Sequence, residues 1–358
     1  MNLRVQRTII VILSLTSLIF GLTGCNLPLS PAASGAATSA PAAATSPAVA
    51  PTDTSMPPTG TPVPIVHTLK PGQPGGALSS IKDADTAPVA AQHRTNAGEN
   101  FSANLFERPF DQSMNTYYPD LDLKSASLSR DDSWDYVVLN VGGPDPKGGL
   151  LGVYGVEIDV NMDGRGDFLV MGTNPGADWS TDGVHVWKDA NHDVGGGHPI
   201  QADQPPQTGD GYETILFDQG QGTDPDMAWI RISPSNVNQV QLAFKRSFFA
   251  DPDKYLWGGW AVDPGMFHPE WYDYDDHFSH AEAGSPLPEL TQYYPLKALF
   301  AIDNTCRWSV GFTPTTDLPG ICPLPPTPTP KPSITPSPTK PRLIGVPAKV
   351  KMTDTPIP

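Results

Sequence analysis

The heptapeptide Gln239-Val-Gln-Leu-Ala-Phe-Lys245 alternates cleanly, with Val240, Leu242 and Phe244 on one face and Gln241 and Lys245 on the other. A period of two is the signature of a half-buried β-strand. Upstream, Trp134-Asp-Tyr-Val-Val-Leu-Asn-Val141 is apolar on both faces, as a central strand is, and a Gly-Gly-Pro turn follows it. Gly152–Val160 places Tyr154, Val156, Ile158 and Val160 on one side, with Glu157 and Asp159 on the other. Phe168–Met171, Val184–Trp187, Tyr212–Phe217 and Met227–Ile232 continue the series between Gly, Pro and Asp turns. No stretch sustains an apolar period of 3.6 residues with caps, and short helices are expected only around Phe248–Tyr255. The expected class is all-β, an antiparallel β-sandwich.

Composition sets the limits of that domain. From Asn26 to about Ile65 the chain is almost all Pro, Ala, Ser and Thr, with too little apolar surface to offset the entropy of ordering. Pro323–Lys340 repeats the pattern as a stiff proline-rich spacer. The expected organisation is a leader over 1–24, a disordered linker over 25–75, a sandwich over 95–322 and a Pro/Thr-rich tail over 323–358.

The first 25 residues set the compartment. Arg4 and Arg7 precede the uncharged run Thr8–Gly24, which is short for a membrane span and ends in small residues, as a signal peptide does. Leu22-Thr23-Gly24-Cys25 resembles the lipobox of bacterial lipoproteins. The resemblance implies a diacylglycerol thioether on Cys25, cleavage after Gly24, and a chain anchored in a membrane on its extracytoplasmic side. The alternative is an ordinary buried or signal-anchor cysteine.

Net charge is −16, and loss of Arg4 and Arg7 with the leader takes it to −18. Such a chain repels nucleic acid and anionic lipid headgroups and suits cations, which excludes DNA and RNA as partners. With Cys25 lipidated, Cys306 and Cys322 remain in an oxidising compartment and are expected to form a disulfide, two separate thiols being the alternative.

The order of these strands, with Val240-Gln-Leu-Ala-Phe-Lys-Arg-Ser-Phe-Phe249 leading into Trp257-Gly-Gly-Trp-Ala-Val-Asp263, resembles the β-sandwich of family-nine carbohydrate-binding modules and DOMON-type domains. That likeness implies a fold and names no ligand.

The sharpest local motif is Asp159-Val-Asn161-Met-Asp163-Gly164-Arg165-Gly-Asp167. Oxygen side chains at alternate positions, then glycine, let a tight loop converge on a hard cation, and calcium takes six to eight such oxygens. The run is similar to the first half of EF-hand, dockerin and thrombospondin-type loops. By position it implies Asp159, Asn161 and Asp163 as side-chain ligands, the carbonyl of Arg165, and Asp167 directly or through water. Val170 stands where an EF-hand has its bidentate glutamate, so a last ligand must come from elsewhere. A second copy, Asp189-Ala-Asn191-His-Asp193, lacks the sixth-position glycine and is the poorer site. Adjacent loops of this kind could share one calcium or hold two, and acidic turns without metal are the alternative.

Asp273–Asp276 with His277 and His280 lacks the spacing of strong zinc motifs. The aromatics Trp257, Trp260, Trp271, Tyr272 and Tyr274, with Phe267, admit two readings: a stacking platform for polysaccharide, or core filling. No Gly-x-Ser-x-Gly, His-Glu-x-x-His or phosphate-cradling loop is present. The expected function is a tethered, calcium-stabilised binding module rather than an enzyme. A glycan hydrolase working through the acidic clusters and a surface scaffold are the competing classes.

Overall fold

The computed structural model describes residues 64–164, 166–192, 194, 211–272, 274–286, 295–318 and 320–324, together with Gly345 and Lys349. Contacts divide the chain into Met1–Thr61 and Pro62–Pro358, and every described residue lies in the second unit. The expected leader with Cys25, the expected linker up to residue 63 and nearly all of the chain after residue 324 lie outside the described residues.

Among the described residues the strands, in chain order, are β1 (Ser79–Lys82), β2 (Glu107–Arg108), β3 (Leu123–Arg130), β4 (Trp134–Val141), β5 (Val153–Asp159), β6 (Phe168–Thr173) and β7 (Val184–Lys188). They continue as β8 (Thr214–Asp218), β9 (Gln221–Gly222), β10 (Ala228–Ser233), β11 (Asn236–Lys245), β12 (Tyr255–Val262), β13 (Ile302–Asn304) and β14 (Trp308–Val310). They form two sheets in which every strand pair is antiparallel. One has the order β1-β3-β4-β11-β10; the other runs β2-β13-β12-β5-β6-β7-β8-β9, with β14 also on β12. The all-β class expected from periodicity is the one observed. Among the described residues helix is confined to short turns, including Arg246–Phe249, Tyr274–His277 and His280–Ala283.

The inner faces meet in one core. Leu128, Val137, Leu139, Val240 and Leu242 of the first sheet pack with Val156, Ile158, Val170, Val186 and Trp257 of the second. Each such aliphatic side chain, fully buried, contributes about 1.5–3 kcal/mol. Central β4 is apolar on both faces because both are covered. Its outer residues Trp134 and Tyr136 join Trp229 and Ala243 in a separate cluster.

What covers that outer face corrects the expected domain boundary. Residues 64–75, assigned above to the linker, lie against it. The Gly72 amide donates to the Tyr136 hydroxyl, Trp179 Nε1 donates to the Gly72 carbonyl, and His67 sits 4.6 Å from the Trp229 ring. Asp226 fastens the segment by accepting the amides of Thr68 and Leu69 and pairing with His67. Burial raises its pKa, but these donors outweigh burial and hold it down at about 2. A segment without regular secondary structure is held in place by a carboxylate and an aromatic face. With β1 at Ser79, the domain begins well before residue 95.

The second sheet is also covered on both sides, so β5 is buried along its whole length and Glu157 and Asp159 do not face solvent. Its outer face carries Val153, Leu169, Met171, Trp260 and Val262, under Phe101, Phe106, Tyr212, Tyr272 and Tyr274.

Candidate functional site: paired aspartate loops at one sheet end

The register Ile158↔Phe168 and Phe168↔Lys188 brings the β5–β6 loop and the segment leaving β7 to the same end of the sheet. The Asp167 amide donates to the Ile158 carbonyl (2.8 Å), and the Asp189 amide to the Asp167 carbonyl (3.0 Å). The two Asp-x-Asn-x-Asp runs are therefore neighbours, with Asp167 between them.

They fold alike. In the first, Asp159 accepts the amides three and five residues on, Met162 on Oδ1 and Gly164 on Oδ2. In the second, Asp189 accepts the amides three and five residues on, His192 on Oδ1 and Val194 on Oδ2. Met162 and His192 occupy equivalent left-handed conformations, at φ 62° and 61°. Gly164, at φ 99°, takes a turn that a side chain would oppose.

Asp167 stitches the loops. Its Oδ2 accepts the amides of Val160 (2.6 Å) and Asn161 (3.0 Å), and its Oδ1 lies 3.5 Å from His192 Nδ1. Asn161 Oδ1 accepts the Asp163 amide. Asp159 and Asp189 are buried, Asp163 is half-buried, and Asn161 and Asn191 are exposed. Arg165 and Asp193 lie outside the described residues.

Behind the loops sits a buried polar knot. Glu157 accepts from Trp260 Nε1 (3.1 Å), Arg307 (3.1 Å) and the Tyr212 hydroxyl (3.2 Å). Burial pushes the Asp159 carboxyl up to about 8, with Asp163 and Asp167 adding to the rise, while Arg307 and the Gly164 amide oppose it. An amide-bound carboxylate oxygen keeps a second lone pair, so Asp159, Asp167 and Asp189 remain competent oxygen donors. The donor set suits a hard cation.

Other site expectations fare differently. Cys306 and Cys322 are disulfide-bonded, with Cα atoms 4.9 Å apart. The stacking platform is not there. Trp257 is in the inter-sheet core with Nε1 on Ser79 Oγ, and Trp260, Tyr272 and Tyr274 are mutually packed core residues. Only Trp271 reaches the surface, 37% exposed beside His268. Trp260, Tyr272 and Tyr274 are core because they cover the outer face of the second sheet, whereas Trp257 fills the space between the sheets. Asp273 lies outside the described residues, while His280 stacks on Phe101 at 5.1 Å. No described helix is long and apolar enough to cross a membrane.

Sequence reading missed a second carboxylate cluster. Among the described residues, one set of three potential metal ligands has its ligand atoms all within 4.8 Å of one another: Glu107, Asp122 and Asp303, all buried. No local motif announces it, because its members come from distant parts of the chain. Comparison with family models, curated proteins and solved structures finds no match.

Proposed function

We propose that this chain is an exported lipoprotein, tethered to the membrane through Cys25, whose β-sandwich is a calcium-stabilised binding module held off the surface by its Pro/Ala/Ser/Thr-rich linker. The observation that carries the calcium reading is the repetition of one loop geometry: Asp159 and Asp189 each gather the amides three and five residues on, at adjacent positions of one sheet end. Backbone organisation of this kind holds oxygen donors in place before an ion arrives, and the acidic loops repel one another without it. The role is binding rather than hydrolysis. A polysaccharide is the ligand class kept for test, and with four of the five candidate rings in the core it would have to be held by polar groups rather than ring stacking.

Calorimetric titration of the purified, chelator-stripped protein with calcium tests the loops. The expected result is measurable binding heat, a higher melting temperature in calcium, loss of the first loop's share of that dependence in Asp163→Ala, and a smaller loss in Asp193→Ala. At millimolar calcium and an affinity of about 10⁻⁴–10⁻³ M the gain is about 1 kcal/mol, and it rises with tighter binding. Identical melting in chelator and in excess calcium would reduce both loops to acidic turns. For the tether, Cys25→Ser is expected to leave an unprocessed precursor. Intact mass of the wild type in the membrane fraction should show the acylated cysteine as the mature N-terminus.

A further inference from the structure

Away from the loops, carboxylates from both sheets meet, with the Leu123 amide at the start of β3 donating to Asp303 of β13. Asp83 follows β1, and Asp122 immediately precedes β3, both belonging to the first sheet. Glu107 lies in β2 and Asp303 in β13 of the second, and the register sets these two directly opposite one another. Like charges facing across a strand pair destabilise it, so this is a costly arrangement to keep without a compensating charge.

The hydrogen bonds leave defined gaps. Glu107 Oε1 accepts from Thr86 Oγ1 (2.6 Å), Asp303 Oδ2 from the Leu123 amide (2.6 Å), Asp83 Oδ1 from the Ala84 amide (2.9 Å), and Asp122 from the Tyr117 hydroxyl. The second oxygens, Glu107 Oε2, Asp303 Oδ1 and Asp83 Oδ2, are buried and accept nothing from the protein. Glu107 is 1% exposed and Asp303 0%. A buried polar atom without a partner is rare enough to require a reason, and three in one cluster of acids point to a common one.

Among the described residues no side-chain cation is hydrogen-bonded to these oxygens. Arg108 adjoins Glu107 in sequence, yet its guanidinium is spent on Glu99 and on the carbonyls of Ala283, Gly284 and Leu299. Lys124 pairs with Asp85 at 3.4 Å. Burial, together with the neighbouring acids, raises the carboxyls of Glu107 and Asp303.

From this geometry we infer that Glu107, Asp122 and Asp303, with the Asp83 carboxylate beside them, form a buried site for one hard divalent cation, of the calcium class, that ties the two sheets together. The donors are all oxygen, which selects calcium or magnesium over the softer metals. Ligand oxygens on opposite sides of a calcium ion lie about 4.6–5.2 Å apart, twice the usual bond length. The Glu107, Asp122 and Asp303 oxygens, all within 4.8 Å of one another, fit around such an ion with little movement. This site shares no residue with the aspartate loops and stands whether or not they bind calcium.

Terbium, which occupies calcium sites and luminesces when a nearby tyrosine is excited, separates the two sites in the full chain at pH 7.5. Tyr117 is the built-in antenna, since its hydroxyl donates to Asp122. The expected result is sensitised luminescence that calcium competes away, that Asp163→Ala leaves in place, and that Tyr117→Phe lowers several-fold. Equilibrium dialysis should show Glu107→Gln and Asp303→Asn each binding one calcium fewer per chain than wild type. Asp83 is half-buried, so Asp83→Asn is the variant to use if the deeper ones do not fold, and it should weaken that ion's affinity at least tenfold. Unchanged calcium stoichiometry and affinity in Asp83→Asn, or in folded Glu107→Gln or Asp303→Asn, would overturn the inference and leave the cluster held by protons. Failure of the loop reading looks different: Asp163→Ala would then bind as many ions as wild type.

Discussion

Gly166 tests how rigidly the first loop is seated on the sheet. A Cβ at that position would lie 1.8 Å from the Tyr212 hydroxyl oxygen, 2.4 Å from Glu157 Cγ and 2.6 Å from Glu157 Oε1. Neither neighbour can swing into solvent. Tyr212 is buried against Tyr272, and Glu157 is gripped by Trp260 and Arg307. Forcing a methyl group into a packed site costs about 1–3 kcal/mol. Parting Tyr212 from Glu157 breaks a buried hydrogen bond to a carboxylate and adds about 1.5–3 kcal/mol. Gly166→Ala should therefore cost about 3 kcal/mol, which at about 2–4 °C per kcal/mol lowers the melting temperature by about 6–12 °C. Gly176→Ala is the matched control. Nothing lies within 4 Å of its added Cβ, and it should be neutral or gain about 0.4–1 kcal/mol. In a Tyr212→Phe background the closest clash is gone, so the double-mutant cycle should return a coupling of at least about 1 kcal/mol. Urea unfolding and scanning calorimetry give all four values. Additive effects, or a Gly166→Ala protein as stable as its Gly176→Ala control, would show that the loop floats free of the Glu157 knot.

Three further outcomes are expected. Opening the Cys306–Cys322 bridge by Cys322→Ser, across a separation of 16 residues, should cost about 3 kcal/mol on the chain-entropy model, read as a fall in the urea midpoint with little change in slope. In chelator, stability should fall as pH rises from about 5 to 8. Asp83 and Asp159 are pushed up to about 8 and Asp122 to about 6, so the fold holds protons that the unfolded chain, with ordinary carboxylate values, has released; that contribution is complete below the unfolded values and lost as pH climbs through the folded ones. Calcium should restore stability most at the high end, and a metal-free protein more stable at pH 8 than at pH 5 would refute the argument. Asp226→Ala removes the acceptor for the Thr68 and Leu69 amides and should free the 64–75 segment, measured as new proteolytic cleavage there while the sandwich core stays resistant.

The strands were legible because period two survives wherever one face is buried: Val240, Leu242 and Phe244 point into the core as their alternation requires. The same rule separates Glu157 and Asp159 from the apolar side of β5 but does not say what covers them. Alternation assigns charged residues to solvent, whereas here the outer face of the second sheet is roofed by Tyr212, Tyr272 and Tyr274, and Arg307 arrives from far along the chain to meet Glu157. Carrying the linker on to residue 75 left out partners in a similar way. Proline content reports what a segment does alone, and the Asp226 carboxylate with the Trp229 face is supplied by partners that composition does not see.

The two acidic sites differ for the same reason. The Asp159 loop is written in consecutive letters because its donors are positioned by their own backbone, three and five residues on, so spacing alone reveals it. The Asp83, Glu107, Asp122 and Asp303 cluster is positioned by sheet pairing, which sets Glu107 opposite Asp303 and sends Asp122 in from the other sheet. A site of the first kind can organise its donors while the rest of the domain is unfolded; one of the second kind exists only once both sheets have met. Calcium at the second site should therefore act on the unfolding rate rather than the folding rate, since closure of the sheets must come before the ion finds its ligands. Stopped-flow urea jumps with and without calcium on Asp163→Ala carrying Asp193→Ala as well, which leaves the buried cluster intact, decide this. A calcium effect confined to the unfolding arm is expected, and one carried mainly by the folding arm would mean that the carboxylates gather before the sheets do.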